Sequence, residues 1–400
     1  MNDYFWKNEK VSLRIIEEKD AKIIYEALRD TALRMQAEGG IALPASIETA
    51  EDMTYYAMEM TKEGKELWFA ILDNENRMIG YAILGYINER DGNAQCDVTV
   101  FPKHRRLGYG KATYDILLRY AFFERRLHKV NCFVIEQNIS GRQFLLKYGF
   151  KEEAKRDAMF YSGGGYEAQY YFGITKEEFE GGLPEVDNGE AVYDTIQGET
   201  IDFAEDLQGI LDERPYFWQY DNVMIREMCE EDYIKNREMF FSSWDARFYD
   251  NDVKLPMLTA ELTEKEEKYM HFGSTDSRIE FAVTDLADTY LGNINLHSID
   301  RKNGTFSMSL YFLKNARGKG YATKAMAVIM QYAFQELRLN KMNICVNQGN
   351  VASAKVMQKV GCKVEGVWRE NVFYNGEYTN VILFGVEKEK FIYNLTKNSQ

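Results

Sequence analysis

The fold is decided by a short Gly-rich stretch that occurs twice, Arg105-Arg-Leu-Gly-Tyr-Gly110 and Arg317-Gly-Lys-Gly-Tyr-Ala322. The two copies lie 212 residues apart, and the same shift aligns residues 105–174 with residues 317–386 at 21 identities in 70 positions. Two unrelated stretches of average composition would share about four or five. The chain is therefore predicted to contain one domain twice, at roughly 165 residues a copy.

Both copies carry the same predicted secondary structure. Apolar residues follow each turn at spacings of 0, 3, 4, 7 and 8, starting from Tyr114 and from Met326, which indicates one face of a helix. A strand precedes each turn, and a strand, a shorter helix and a hairpin follow the long helix. The strands and the short helix are predicted at 96–101, 130–135 and 140–147, and again at 308–313, 342–346 and 353–359. This order predicts an α/β fold with a mixed sheet in each of two tandem domains.

Charge divides the chain into three parts. The net charge of the 400 residues is −14, and residues 176–214 alone hold 13 acidic and 2 basic side chains, or −11. The sequence therefore predicts a first domain at 1–174, an acidic connecting segment at 175–222 and a second domain at 223–400.

Composition excludes several classes of protein. No basic face is available to neutralise phosphates, which argues against nucleic-acid binding. No apolar run is long enough for a membrane span, and the N-terminus lacks the layout of a signal peptide. The five cysteines form no CxxC pair. Together these features predict a cytoplasmic protein with reduced thiols, no membrane partner and no nucleic-acid partner.

The Gly-rich turns are suited to binding an anion. A helix that begins inside such a turn leaves main-chain N–H groups unpaired, and its dipole adds about half a positive charge. Glycines let an anion approach closely, which suits a pyrophosphate. One such turn is weak evidence, but two copies in the same register are much stronger.

These turns give the chain a family resemblance. Together with the Asn350-x-x-Ser353, Lys359-x-Gly361 and Glu365-Gly366 patterns, they make each half resemble a GNAT-superfamily N-acetyltransferase. The second half resembles the branch that acetylates ribosomal-protein N-termini and polyamines. The resemblance implies acetyl-CoA (CoA) as the cofactor, bound by strand four, the Gly-rich turn and an asparagine after strand five. The positions that match are Val98, Thr99, Val100, Arg105, Arg106, Leu107, Gly108, Tyr109, Gly110 and Asn138 in the first copy, and Leu310, Tyr311, Phe312, Arg317, Gly318, Lys319, Gly320, Tyr321, Ala322 and Asn350 in the second.

Both copies depart from the family at its usual acid and base. The short-helix tyrosine that protonates the departing thiolate is replaced by Leu145 and Met357. The glutamate of strand four is replaced by Gln95 and Ser307. Either copy could therefore bind the cofactor without turning it over.

Three residues are candidates for the chemistry. Asp97 shares a strand face with Gln95 and could accept a proton from an ammonium, although an exposed or capping aspartate explains it equally well. His297 lies on a predicted core strand and could act as a base, although a packed or hydrogen-bonded histidine is the commoner case. Ser353 falls where this branch often has a serine near the sulfur. No set of side chains has zinc spacing, and no metal site is predicted.

The sequence thus predicts an acetyl-CoA-dependent N-acetyltransferase in which a primary amine attacks the thioester directly in a ternary complex. The acceptor is a small-molecule or peptide amine. One alternative is an acyl-CoA-binding protein without turnover, and another is one catalytic copy beside a degenerate structural one, the two pairing as single-domain relatives do in dimers. The fuller motif set slightly favours the second copy as the catalyst, and the oligomeric state stays open.

Overall fold

The computed structural model describes residues 4–181, 207, 209–236, 248 and 277–397. The chain forms two compact units. The first contains residues 1–189 together with residues 367–380, and the second contains residues 190–366 together with residues 381–400. The first unit thus takes a short segment from the second sequence repeat, whereas the boundaries at 174 and 222 stay a prediction.

The first unit is a mixed sheet with helices on both faces. Its strands are β1 Ser12–Ile15, β2 Leu67–Leu72, β3 Met78–Asn88, β4 Asn93–Val100, β5 Lys129–Ile135, β6 Lys151–Ser162 and β7 Gly165–Thr175. Its helices are α1 Ala21–Leu28, α2 Thr31–Glu38, α3 Ile47–Lys62, α4 Tyr109–Arg119, α5 Ile139–Tyr148 and α6 Lys176–Phe179. The strand order is β1-β2-β3-β4-β5-β7-β6, and of these pairs only β4 with β5 is parallel.

The second unit repeats this arrangement. Its strands are β8 Gln219–Tyr220, β9 Val223–Glu227, β10 Arg278–Thr284, β11 Tyr290–Asp300, β12 Thr305–Phe312, β13 Lys341–Asn347, β14 Lys363–Tyr374 and β15 Glu377–Glu387. Residues 367–374 of β14 and 377–380 of β15 lie in the first unit. The described helices are α7 Glu230–Lys235, α8 Tyr321–Gln331, α9 Val351–Lys359 and α10 Lys388–Lys397. Here β12 and β13 are the parallel pair. The predicted mixed α/β fold is confirmed in both copies.

The strand before each Gly-rich turn begins three residues earlier than its apolar pattern indicates. The reason is the antiparallel partner: β3 pairs with β4 as far as Asn88 opposite Asn93, across an irregularity after Gly85. In the second copy β11 likewise pairs as far as Asp300 opposite Thr305. Pairing with a long neighbour therefore extends each strand by three residues, and in the first copy these residues, 93–95, are mostly polar.

The duplication extends to unusual backbone conformations. Tyr86 and Ser298, 212 residues apart, have φ values of 48° and 51°. Ala158 and Glu370, at the same shift, have φ values of 54° and 47°. Such left-handed conformations are uncommon outside glycine. Their recurrence at matched positions shows that both copies share their strand irregularities as well as their motifs.

Two layers of side chains cover the sheet of the first unit. On one face Cys96, Leu117 and Leu145 belong to a buried cluster that includes the inner side of α4. On the other face Ile24 and Trp68 belong to a separate cluster beside α1 and α3. Because side chains alternate along a strand, the residues next to Cys96 face away from α4. In the described ranges no helix is long and apolar enough to cross a membrane.

A buried ion pair occurs at the same place in each copy. Lys129 Nζ lies 2.7 Å from Glu153 Oε2, with 0% and 1% of the side chains exposed. Lys341 pairs with Glu365 at the positions 212 residues later, with the same exposures. A glycine covers each pair: a Cβ on Gly173 would lie 2.5 Å from Glu153 Oε1. The lysine, the glutamate and the glycine are therefore one repeated structural unit.

We expect Lys341→Met to destabilise the protein by about 3–5 kcal/mol, because it leaves the Glu365 carboxylate buried without its cation. The measurement is urea unfolding followed by circular dichroism. The double variant Lys341→Met/Glu365→Leu serves as the control, and it should recover most of the loss because no buried charge remains at these positions. Equal midpoints for the single variant and the wild type would contradict this account.

Candidate active site

In each unit a gap opens between the two parallel strands. β4 pairs with β5 only along residues 93–95, opposite residues 129–131. β12 pairs with β13 only along residues 305–306, opposite residues 341–342. Val98–Val100 and Leu310–Phe312 lie beyond the last paired residues. In the described part of the chain this edge of β4 and of β12 has no further strand partner, which leaves main-chain groups available to a ligand.

Each Gly-rich turn has the main-chain geometry of an anion site. Gly108 and Gly320 precede α4 and α8 with φ values of 85° and 80°, and neither helix start has a side-chain cap. Arg106 and Gly318 are also left-handed, with φ values of 63° and 74°. A Cβ on Gly320 would meet no atom within 4 Å, so the space above this turn is open. Uncapped N–H groups facing open space fit the pyrophosphate of CoA.

The first arginine of each turn braces the turn itself. Arg105 Nε donates to the carbonyl of Val100 at 3.0 Å, and Arg317 Nε donates to that of Phe312 at 2.8 Å. These bonds tie the end of the strand to the turn. The two arginines thus fix the loop, and binding of the anion by main-chain groups stays a prediction.

Lys10 is a cation at the first turn that the sequence pattern did not indicate. Its Nζ donates to the carbonyl of Leu107 at 2.9 Å and lies 2.9 Å from the position of a Cβ on Gly108. The residue is 97 positions away from Leu107 and belongs to no motif. Only the fold brings its charge to the turn.

The two asparagines after the fifth strand cap helices. Asn138 Oδ1 accepts from the N–H of Gly141 at 2.9 Å, at the start of α5. Asn350 Oδ1 accepts from the N–H of Ser353 at 3.2 Å, at the start of α9. A Cβ on Gly141 would lie 2.7 Å from Asn138 Nδ2, whereas the equivalent cap in the second copy accommodates the Cβ of Ser353. Each asparagine keeps its amide N–H₂ group for a ligand.

Asp97 lies two residues beyond the last β4 residue that pairs with β5, on the face opposite α4. Gln95 Nε2 donates to Asp97 Oδ2 at 2.7 Å. Burial raises the pKa of Asp97 to about 6, and the nearby charge of Glu66 acts in the same direction. Such a carboxylate is ionised at neutral pH but accepts a proton more readily than an exposed aspartate.

His297 occupies the corresponding face of the second unit. Its Nε2 lies 2.9 Å from Ser309 Oγ, and its Nδ1 lies 3.0 Å from Ser298 Oγ. Ser309 aligns with Asp97 at the 212-residue shift. Burial lowers the pKa of His297, and Arg278 adds to the effect, so the imidazole is neutral at physiological pH. Ser307 replaces the family glutamate in this copy, and its hydroxyl donates to the carbonyl of Asn343 at 2.6 Å.

The loop after α2 packs against the β6–β7 hairpin. Gly39 ends α2 in the left-handed conformation, with φ 67°. A Cβ there would lie 2.6 Å from Phe160 Cε1. Glycine is therefore required at this close approach, which encloses the same side of the sheet on which Asp97 lies.

Three aromatic side chains that sequence reasoning missed form a cluster, here called the aromatic wall: Phe133, Tyr171 and Trp368. The ring centroids of Phe133 and Tyr171 are 4.6 Å apart, and Trp368 lies 6.0 Å from Phe133 and 5.5 Å from Tyr171. Trp368 comes from the second sequence repeat, within the 367–380 segment of the first unit. No local pattern relates it to the other two.

Within the described residues, no group of three or more His, Cys, Asp or Glu side chains could hold a metal ion. Main-chain N–H groups, Asp97, His297 and their hydroxyl and amide neighbours are the polar groups that the described residues bring to this site.

Comparison with known proteins gives the family. The Acetyltransferase (GNAT) domain matches residues 10–151 and again residues 222–363. The SPbeta prophage-derived uncharacterized N-acetyltransferase YokL of Bacillus subtilis (strain 168) is 28% identical over 180 residues, 44% of this chain and 97% of that protein. The putative ribosomal N-acetyltransferase YdaF of the same organism is 32% identical over 100 residues, 25% of this chain and 55% of that protein. A crystal structure of spermidine N-acetyltransferase from Vibrio cholerae, in complex with CoA and spermine, covers 43% of this chain and 98% of its own at 20% identity and a TM-score of 0.39.

The two domain matches span most of the chain and coincide with the two copies of the strand, turn and helix described above. Each contains one strand gap and one Gly-rich turn of the kind that this family uses for acetyl-CoA. The chain therefore belongs to the GNAT acetyltransferases, carries their domain twice, and is an N-acetyltransferase that uses acetyl-CoA.

Proposed function

We propose that the first unit is the catalyst and that it acetylates a primary amine by direct attack in a ternary complex, with Asp97 as the base. The observation that carries this proposal is the position of Asp97: a carboxylate with a raised pKa, just beyond the last paired residue of β4. It lies on the sheet face opposite α4, here called the acceptor face. The second unit has Ser309 at that position, and a hydroxyl is a far weaker base. Motif matching slightly favours the second copy, but the available base favours the first.

Donor binding would rest mainly on main-chain groups. Residues 105–110 present the uncapped start of α4 to the pyrophosphate, and the ammonium of Lys10 lies beside them. The edge of Val98–Val100 offers N–H groups to the pantetheine arm and to the thioester oxygen, which gains negative charge as the amine attacks. The turn is held in shape by Arg105.

The proton balance needs a single acceptor. The acceptor ammonium first loses one proton to solvent, so that the amine attacks as the neutral base. The amine nitrogen then forms a bond to the thioester carbon, a proton moves from it to Asp97, and the C–S bond breaks. The leaving sulfur then takes up the proton that Asp97 accepted, so that CoA leaves as the thiol. Leu145, at the position of the family's tyrosine, is buried and has no proton to give. One carboxylate therefore serves as both base and acid.

The second unit has a candidate role of its own. Its turn is intact and open above Gly320, and its neutral His297 lies against Ser309. These features support CoA binding there, either without turnover or with His297 as a weaker base. The amine acceptor of either unit is a small-molecule or peptide primary amine.

We expect calorimetry to give close to two CoA molecules per chain. Gly108→Glu and Gly320→Glu should each lower the stoichiometry to about one, because a carboxylate would fill the anion site and repel the phosphates. Gly64→Glu is a matched control, since Gly64 also has a left-handed φ, of 70°, and open space around it. A wild-type stoichiometry of zero, or loss of both sites in every variant, would refute the prediction that the two Gly-rich turns bind CoA independently.

We expect Asp97→Asn to lower kcat by about 100-fold or more while CoA affinity stays within twofold, because the change removes a general base and little else. Wild-type activity should fall as the pH drops through about 6, where Asp97 takes up a proton. In the variant, the residual activity should not show this fall. The raised pKa means that the folded state favours the protonated carboxyl, so Asp97 costs stability as the pH rises from 3.8, its ordinary pKa, to about 6, and the cost is fully present above that. Asp97→Asn should therefore unfold at an equal or higher temperature than the wild type at pH 7.

His297→Gln provides the comparison for the second unit. It should leave the rate nearly unchanged if the first unit is the catalyst. A large loss with His297→Gln and none with Asp97→Asn would transfer the activity to the second unit.

A further inference from the structure

The aromatic wall lies on the acceptor face of the first unit. Phe133 is two residues beyond Asn131, the last β5 residue paired with β4, and Asp97 is two residues beyond its partner Gln95. Because side chains alternate along a strand, Phe133 and Asp97 lie on the same face, on opposite sides of the strand gap. Tyr171 pairs with Phe133 across β5 and β7 and shares that face. The wall thus begins across the strand gap from the proposed base.

The segment that carries Trp368 is anchored along its length in the first unit. Arg369 Nε lies 3.0 Å from Glu153 Oε1, the buried carboxylate paired with Lys129. His128 Nε2 lies 2.5 Å from Glu370 Oε2, and its ring stacks on Tyr378 at a centroid distance of 3.7 Å. These contacts hold the backbone that follows Trp368, so the indole is positioned by the fold.

Further along the segment, Asn371 completes the attachment to the paired part of the gap. Asn131 Nδ2 donates to Asn371 Oδ1 at 3.1 Å, and Asn93 Nδ2 donates to the carbonyl of Asn371 at 2.8 Å. Both partners belong to the three-residue ladder that joins β4 to β5. The segment therefore contacts the acceptor face at the point where the strands separate.

The indole ring contributes packing and no hydrogen bond. Trp368 Nε1 has no hydrogen-bond partner in the described structure, and its plane lies 14° from that of Phe133. Polar contacts therefore do not explain a tryptophan here. A flat face beside two other rings is what the residue provides.

The second copy serves as an internal comparison. At the 212-residue shift, Phe133 corresponds to Cys345, Tyr171 to Leu383, and Trp368 to Arg156. None of the three aromatic residues recurs at its equivalent position. Among the described residues, the aromatic wall therefore occurs only in the first unit, which is also the one with a carboxylate, Asp97, at the strand gap.

We infer that Trp368, from the second repeat, is a specificity-determining residue for the acceptor amine of the first unit. It packs on the body of a primary amine that carries a flat apolar group, while the amine nitrogen lies at Asp97. This inference rests on the proposed function of the first unit. It adds that the site formed by residues 1–174 is incomplete without the segment 367–380.

The experiment compares two amines that differ only in their body, 2-phenylethylamine and ethylamine, with full-length protein and saturating acetyl-CoA. The wild type should prefer 2-phenylethylamine in kcat/KM. Trp368→Ala should lower kcat/KM for 2-phenylethylamine by about 10-fold, mainly through a higher KM, and change ethylamine less than twofold. Trp368→Phe should retain most of the preference, because the ring and not the N–H makes the contact.

Phe373→Ala is the matched control. It removes an exposed aromatic side chain from the same segment, but one that packs on Tyr378 rather than on the wall. It should leave the ratio of the two amines unchanged. If Trp368→Ala also leaves the ratio unchanged, or if the wild type shows no preference, the inference is wrong even where Asp97→Asn abolishes activity. If Asp97→Asn is silent, the proposed function itself fails.

Discussion

The buried lysine–glutamate pair is the interaction on which the site of each unit depends. Burying either charge alone costs several kcal/mol, so lysine and glutamate must remain together wherever the chain places them. Lys129 is the first residue of β5 and pairs with Asn93 of β4, while Glu153 is the third residue of β6. The pair therefore fixes the end of the sheet at which β4 and β5 are still joined. The gap that opens beyond this end is where the acetyl donor would lie.

The two copies share their main chain and differ in their side chains. Left-handed turns, strand irregularities and the ion pair recur at a constant shift, and these are the features that shape a thioester-binding edge. By contrast, Asp97 is matched by Ser309 and Phe133 by Cys345. Donor recognition through main-chain groups tolerates such drift, because any side chain still leaves the N–H groups in place. Acceptor recognition and proton transfer depend on the side chains themselves and do not tolerate such changes. As the copies diverge, we therefore expect them to differ in their acceptors before they differ in their donor.

Much of this architecture could be predicted from the sequence. The turn, the helix after it and the strands on either side are local features with strong periodicity. Because the sequence repeats, each of these features could be predicted from two separate stretches. Strand alternation alone placed Asp97 on the same face as Gln95, which donates to it in the structure. Arg105 and Asn138 were identified from motif positions, but their side-chain bonds, a brace and a helix cap, needed coordinates.

The rest depends on contacts between distant parts of the chain. Lys10 reaches the Gly-rich turn from 97 residues away, and Trp368 reaches Phe133 from more than 200. Neither residue belongs to a motif, and no spacing rule connects them to the site. The elevated pKa of Asp97 likewise follows from burial, which a strand pattern indicates only in outline.

The location of residues 367–380 in the first unit has a consequence for synthesis on the ribosome. Residues 1–174 are made early, but the segment that packs on Phe133 and Tyr171 is translated about 200 residues later. At roughly 5–20 residues per second, the nascent first half waits on the order of 10–40 seconds for it. During that interval two aromatic rings and the Glu153 carboxylate lack the cover that Trp368 and Arg369 later provide. Nascent-chain binding factors would meet this surface first, and a stalled ribosome would leave the first unit unfinished however well its own strands had paired.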